Sequence, residues 1–326
     1  MPLPFILAGV ALAAAGYGVK KGIDALDADC EADEFIKKAE VLKEEATKKA
    51  ESTQSDCKLA FARFGEKKLR VLSHSVSNFL DHFHQLKHSR ITIEGINMQD
   101  IQRQVSDARN LLNQLNANGI DGDSAPGVIA GCVGLGASSF TAGAILGGGL
   151  AASGLAGMAV IGGIVAGPAL AILGALSADE MEKKRDDAKA YCSQVEAAVK
   201  KADAVIDNLQ AIRKMADLFT RQITKFDALF FSLSQDAIAT MKKHNYDTSR
   251  YNQKEKDQLC VTVSTLSTLS TFLKVSIMDE SQKLTEKAKN ALILMRDQMN
   301  AIESGQESGH YNMAMIQSNQ KGLKNL

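Results

Sequence analysis

The sequence has no tryptophan, few other aromatic residues and few residues that break helices. Aromatic residues make up 5% of the 326 residues, and the four prolines lie at positions 2, 4, 126 and 168. Outside its apolar segments the chain is dominated by Ala, Lys, Glu, Gln and Leu, which are common in helices rather than strands. Positions 175 to 304 contain neither glycine nor proline. These absences predict an all-α fold built from long helices.

The chain also lacks an excess of charge and any closely spaced cysteines. Its 38 basic and 38 acidic residues cancel, and they alternate along the predicted helices without forming a basic stripe that could neutralise phosphates. The five cysteines are widely separated and form no C-x-x-C pair. We therefore expect no nucleic-acid partner, no disulfide framework and no zinc knuckle, and a reducing compartment fits the cysteine usage.

Motifs for nucleotide, metal or nucleophilic chemistry are absent or weak. No phosphate-binding loop, H-E-x-x-H pair or G-x-S-x-G elbow occurs, and GLGASS, which begins at Gly134, follows no strand pattern. In DHFHQLKH, Asp81, His84 and His88 share a helix face and are a weak metal candidate. The alternatives are solvated or capped histidines, or histidines whose protonation loosens the bundle. We expect no enzyme activity, no cofactor and no small-molecule substrate.

Two long stretches have the apolar periodicity of amphipathic helices. In the first arm, residues 25–120, the stripe resumes after one slip and comprises Phe35, Ala39, Leu42, Ala46, Ala50, Thr53, Cys57, Ala60 and Phe64, then Leu72, Val76, Phe79, Phe83 and Leu86. In the second arm and closing helices, residues 179–303, the stripe comprises Ala188, Tyr191, Val195, Ala198, Ala202, Val205, Leu209, Ile212, Met215, Phe219, Phe226, Phe230 and Leu233.

Local signals place the ends of the later helices. Ser177 or Asp179 can cap the start of the second arm. Further helices are predicted from about residue 254 to 272 and from about 285 to 302, with a turn between them. Residues 304–326 have the polar composition of a mobile tail, and no structure is predicted for them.

Between the arms lies an interval of about 55 residues, from Asp123 to Asp179, without a charged side chain. Because that length accommodates two passes of ~20 residues and a turn, residues 121–178 are predicted to form a hydrophobic, glycine-rich helical hairpin. Glycines at G-x-x-x-G spacing let apolar helices pack closely in lipid, and the packing candidates are Gly143, Gly147, Gly163 and Gly167. The candidates for lipid contact are Ile145, Leu146, Val160, Ile161, Ile164 and Val165. A conditionally membrane-inserting hairpin is predicted, with a permanent anchor or a buried core element as alternatives.

An apolar leader, residues 1–24, precedes the first arm. It lacks the positively charged start of a signal peptide, since Lys20 and Lys21 follow its apolar run. At about sixteen apolar residues the run is short for a spanning helix, so it could lie in the membrane interface or pair with the hairpin.

Three blocks carry a resemblance to known proteins: MPLPFILAG…GYGVKKG, KKLRVLSHSVSNFLDHFHQLKHSRI, and LGGGLAASGLAGMAVIGGIVAGPALAILG followed by AKAY. They resemble a family of uncharacterised bacterial open reading frames, which implies a bacterial origin. The layout of a hydrophobic hairpin on long helices is similar to that of α-helical pore-forming toxins of the cytolysin A and tripartite haemolysin type.

The toxin resemblance implies an elongated helical bundle or coiled coil that inserts into a lipid bilayer and oligomerises with itself or with related helical subunits. We expect the protein to start as a soluble protein of the bacterial cytoplasm and then to associate with a membrane, with secretion as a further possibility. The alternative function is a non-lytic, membrane-anchored coiled-coil scaffold that recruits a partner protein such as a membrane-remodelling GTPase.

Overall fold

The computed structural model describes residues 25–87, positions 99, 101–103, 105, 106, 109, 110 and 113, and residues 185–278 and 284–326. In this part of the chain 88% of the residues are helical and none belongs to a strand. The predicted all-α, elongated helical fold is therefore confirmed. The leader and the hairpin, with its ten packing and lipid-contact residues, lie outside the described residues, as does the predicted cap of the second arm.

The described helices include two exceptionally long ones. In chain order the elements are α1 (Ala25–Arg70), a π-helix (Val71–Val76), α2 (Ser77–Phe83), α3 (Arg185–Lys243), a 3-10 turn (Thr248–Arg250), α4 (Gln253–Leu273), α5 (Glu286–Ser308) and α6 (Met313–Lys324). The first three elements form one uninterrupted rod of roughly 90 Å at 1.5 Å per residue, and α3 is about as long.

The helices α1 and α3 lie side by side and run in the same direction. Residue numbers rise together along the ion pairs that join them: Lys38–Glu196 at 2.7 Å, Lys49–Asp203 at 2.7 Å, Asp56–Arg213 at 2.6 Å and Lys67–Asp227 at 2.9 Å. Because the two helices are parallel, the end of α2 and the start of α3 lie at opposite ends of the pair. We call the first half of the pair, residues 25–57 and 185–208, the stalk.

Small side chains of α1 face a mixture of small and large side chains of α3 in the seam of the stalk. The buried residues are Ala39, Ala46, Ala50, Thr53 and Cys57 on α1 and Ala188, Tyr191, Cys192, Val195, Ala198, Ala202 and Ile206 on α3. Alanines let the two helices approach closely, but each buries little apolar area and so contributes little free energy. The predicted stripes of both arms are confirmed along the stalk.

Beyond the stalk, five helical rods pack into a head comprising residues 58–87, 209–278 and 284–326. Its central helix is α4, in which every residue from 261 to 270 is buried. α4 runs back along α3, because Phe272 stacks on Phe219 with ring centroids 4.7 Å apart and Thr262 Oγ1 donates to the Leu233 carbonyl at 3.4 Å. Its threonine hydroxyls also bond to backbone carbonyls four residues earlier, which satisfies them within the helix.

The two later helices predicted from sequence are confirmed, and both have side-chain caps. Asn252 and Glu255 form a reciprocal capping box at the start of α4. At the start of α5, the Thr285 hydroxyl accepts a hydrogen bond from the Ala288 N–H at 3.1 Å. Both caps lie within a few residues of the predicted starts.

The prediction of a mobile tail at residues 304–326 is wrong. α5 continues beyond residue 304, Gly309 turns the chain with a φ of 74°, and α6 folds back onto the head. There it buries Ile316, Gln320 and Leu323, and Gln320 Nε2 donates to Ser267 Oγ at 2.8 Å. The buried face of α6 was not recognised in the sequence because one of its three buried residues, Gln320, has an amide side chain and the residues around them are polar.

The apolar spacing of the first arm is interrupted between Phe64 and Leu72, and a change of helix type follows at the same place. Phe64 and Leu72 are both buried, and the stripe position midway between them is occupied by Lys68, which is buried as well. The π-helix follows, and its wider turns take up extra residues relative to an α-helix. Val76 and Phe79 thereby return to the core.

Candidate functional site

The free end of the stalk is the place where α3 begins, and α3 follows the uncharged interval in sequence. Near this end the Tyr191 hydroxyl donates to the Glu40 carboxylate at 2.6 Å, and Lys38 pairs with Glu196. The start of α3 therefore lies beside the early part of α1, at the opposite end of the rod from the head. The chain leaving the uncharged interval enters the described structure at this free end.

The chain leading toward the interval runs along the head in the opposite direction to α2. The described positions between 99 and 113 are helical. Here the Gln102 amide nitrogen lies 2.6 Å from His84 Nε2, while Arg109 pairs with Asp81 at 3.1 Å and contacts the Ser77 hydroxyl. Position 102 thus lies level with residue 84, and position 109 lies level with residues 77 to 81. The stretch runs from the far end of the head back toward the stalk.

Asp81 and His84, two of the three metal candidates, border an open cleft of about 570 Å³ between α2 and this stretch. Both are engaged by neighbours, Asp81 by Arg109 and His84 by Gln102. His88 lies outside the described residues. In the described part of the chain, no group of three or more His, Cys, Asp or Glu side chains could hold a metal ion. The weak metal site therefore stays a prediction.

At the far end of the head, the turn between α3 and α4 packs against the end of α2. His82 Nδ1 lies 2.8 Å from the Tyr246 hydroxyl, and the two rings stack with centroids 6.0 Å apart. Asn245 and Tyr246 have φ values of 52° and 61°, which are unfavourable for a tyrosine. The Lys87 N–H donates to the Tyr246 carbonyl at 2.8 Å, and Thr248 Oγ1 donates to the Lys87 carbonyl at 3.2 Å. These contacts hold the strained turn against the end of α2.

Glu255 is the most strongly stabilised carboxylate at this end of the head. It accepts hydrogen bonds from His244 at 3.0 Å, Lys243 at 2.9 Å and the Asn252 N–H at 3.0 Å. These bonds, with the His244 bond contributing most, lower the pKa of Glu255 to about 2. Nearby, burial raises the pKa of Tyr251 to about 12. The capping box of α4 is therefore also an electrostatic clamp on the turn.

Lys68, a buried amine, was missed by the sequence reasoning. Its side chain is 1% exposed, and its Nζ has no hydrogen-bond partner among the described residues. Nζ lies 4.2 Å from the centroid of the Phe64 ring, a cation–π geometry. Burial lowers the pKa of Lys68 to about 7. The available signal was its place in the apolar stripe between Phe64 and Leu72, where a lysine interrupts the pattern.

No protein family, curated protein or solved structure matches this chain. Within the residues that the structure describes, none of the helices has the length and apolar character needed to cross a bilayer. The uncharged interval is not among those residues. Function is therefore inferred from the architecture and the sequence together.

Proposed function

We propose that the protein is a membrane-inserting, pore-forming bacterial effector. In this proposal residues 121–178 enter a lipid bilayer and oligomerise through Gly143, Gly147, Gly163 and Gly167, while the head remains in water. The protein starts soluble in the bacterial cytoplasm and becomes membrane-associated. Its partners are the bilayer and other copies of itself or related helical subunits.

The parallel pairing of α1 and α3 is the observation that carries this proposal. The ion pairs from Lys38–Glu196 to Lys67–Asp227 fix the direction of both helices. As a result, the chain after the uncharged interval begins at the free end of the stalk, and the stretch before it runs toward the stalk. A segment carried at the end of a long, narrow pair of helices can meet a membrane while a broader head stays clear of it.

The chemistry of the interval suits insertion more than burial in a water-soluble core. About 55 residues without a charge match two membrane passes, whereas its many glycines would weaken a helix in water. Its large apolar residues each favour insertion by only about 0.3 to 0.6 kcal/mol, so insertion is finely balanced. A finely balanced hairpin fits a protein that exists in both soluble and inserted states.

Dye release from vesicles of anionic bacterial lipids tests the proposal. Purified full-length protein is compared with the double variant Gly147→Glu, Gly163→Glu. A charged residue at the centre of a membrane helix costs about 2.5 to 3.5 kcal/mol, so two of them outweigh the marginal insertion energy. We expect release by the unmodified protein and release at background level from the double variant. Ser193→Glu with Ser304→Glu, two exposed positions on α3 and α5, is the matched charge control and should release dye normally.

Flotation of the same vesicles distinguishes the alternatives. If the unmodified protein floats with the vesicles but releases no dye, the pore is excluded and the anchored coiled-coil scaffold is favoured. If it neither floats nor releases dye, membrane insertion itself is contradicted. Release by both the unmodified protein and the hairpin variant would show that lysis does not depend on the hairpin.

A further inference from the structure

Lys68 occupies a section of the head core that is lined by aromatic rings. Phe64, over which the Lys68 amine lies, packs edge-to-face against Phe219 at 5.9 Å, and Phe219 stacks on Phe272 at 4.7 Å. Phe61, also on α1, packs edge-to-face against Phe64 at 6.3 Å, so α1, α3 and α4 all contribute rings to the same cluster. A ring face partly compensates an ammonium group but supplies no hydrogen-bond acceptor for its three N–H groups.

Among the residues that the structure describes, the helices around Lys68 offer its amine no counter-charge. On α1 the neighbouring Lys67 already pairs with Asp227 of α3, a carboxylate that is 15% exposed and whose Oδ1 has no hydrogen-bond partner among the described residues. On α4 no charged residue occurs from position 258 to 273. The buried side chains with unpaired polar atoms on α4, α5 and α6 are Ser264, Gln298 and Asn319, and all three are neutral. Burial without compensation is therefore the cause of the lowered pKa of Lys68.

A π-helix begins three residues after Lys68 and interrupts the α-helical geometry of the rod. It is the only departure from α-helical geometry in the described residues 25–83, and it carries Val71, Leu72 and Val76 into the core. π-Helical turns inside α-helices are rare and are frequent at functional sites, and a change from i→i+5 to i→i+4 hydrogen bonding would rotate the adjoining turns. A rotation of this kind would turn Lys68 away from the aromatic cluster.

We propose that Lys68 is a protonation switch for the head. With the amine neutral, the core stays closed around the aromatic cluster. When the amine takes up a proton, the unpaired ammonium leaves the core, the π-helical joint rearranges and α1 loosens from the head. The switch depends on the geometry of the head alone and goes beyond the proposed membrane activity, although it would give that activity a trigger.

The direction of the pH dependence follows from proton linkage. The pKa of Lys68 is about 7 in the folded protein, against an ordinary value of 10.5. Between these pH values the unfolded chain binds a proton that the folded chain releases, so the free energy of unfolding rises with pH across this window. As the pH falls from 10.5 toward 7 this stability is lost, and below about pH 7 the folded protein carries the buried charge as well.

Urea unfolding of the full chain at pH 7.5 and pH 9 tests the linkage. Lys68→Met keeps the length of the side chain and removes the charge, while Lys48→Met, at an exposed position of α1, is the matched control. We expect the midpoint of Lys68→Met to exceed that of the unmodified protein at pH 7.5 and to change less with pH. The control should keep the pH dependence of the unmodified protein. If Lys68→Met keeps it too, the switch is excluded.

Two further measurements keep the proposal testable if Lys68→Met fails to fold. Carbon-13 NMR of the lysine ε-carbons in the unmodified protein should show one resonance titrating near pH 7, and a set in which every lysine titrates above pH 9 would overturn the proposal.

Hydrogen exchange of residues 71–76, corrected for intrinsic rates, should speed up by about tenfold per pH unit as the pH falls from 8.5 to 7.5. Lys68→Arg, which keeps its charge, should exchange rapidly at both pH values, and rates independent of pH and variant would also overturn the proposal.

Discussion

Two charged side chains of the head have opposite surroundings, although the pKa of each is lowered. Glu255 accepts three hydrogen bonds, so its environment favours the charged carboxylate. Lys68 has a ring face but no hydrogen-bond acceptor in the described part of the chain, so its environment favours the neutral amine. The number of hydrogen-bond partners, rather than burial alone, therefore decides which of the two charges stabilises the head.

Replacing Glu255 by Gln should destabilise the protein at neutral pH and have little effect in acid. The pKa of Glu255 is about 2 in the folded protein, against an ordinary value of 4.5. The folded state thus holds this proton less tightly than the unfolded chain, and the stabilisation is present above pH 4.5 and lost as the pH falls from 4.5 to 2. Thermal unfolding of both proteins at pH 7 and pH 3 measures the difference, which should be larger at pH 7.

Glu286→Gln is the matched control for this prediction. Glu286 also lies in the first turn of its helix, α5, but it is exposed and pairs only with Lys289, three residues away. An exposed pair of this kind contributes little stability, so we expect a smaller loss for Glu286→Gln than for Glu255→Gln at pH 7. Equal losses at the two positions would contradict the electrostatic clamp.

At the scale of the helices, α6 is the element whose role differs most from the sequence prediction. Leu323 is 2% exposed, whereas Met315 on the same helix is 44% exposed. We expect Leu323→Ala to lower the free energy of unfolding by about 2 to 5 kcal/mol, because it removes buried side-chain volume. Met315→Ala should change it by less than about 0.5 kcal/mol. Urea unfolding of both variants distinguishes a packed α6 from a mobile tail, for which both substitutions would be silent.

The buried faces of the helices were predictable from this sequence, while the relative direction of α1 and α3 and the position of the π-helix were not. The stripes from Ala39 to Phe64 and from Ala188 to Leu233 are buried as predicted, except that Leu42 and Val205 are half-buried beside the core, because apolar spacing reports directly which face is buried. The same spacing carries no information on whether neighbouring helices run parallel, and that direction is what places the start of α3 at the free end of the stalk. Lys68 and Gln320 were missed because polar residues at core positions depend on tertiary contacts.

At the scale of the molecule, the stalk and the head differ in what holds them together. The stalk is a single pair of helices joined by small residues and by exposed ion pairs, each worth about 0 to 1 kcal/mol. The head surrounds α4 with other helices and contains most of the buried aromatic residues. The stalk, where the described chain resumes after the uncharged interval, therefore has a smaller core than the head.

Hydrogen exchange of the full-length protein should resolve these two parts. We expect amides at positions 34–57 of α1 and 188–206 of α3 to exchange at least tenfold faster than those at positions 261–270 of α4, after correction for intrinsic rates, because few buried contacts have to break when the stalk opens. Leu269→Ala, a buried position of α4, should speed exchange in the head and leave the stalk unchanged. A single rate for both regions, or a stalk that follows the head in this variant, would mean that the molecule opens only as a whole. Independent opening would let the stalk change its structure when the uncharged segment meets a membrane, while the head stays folded.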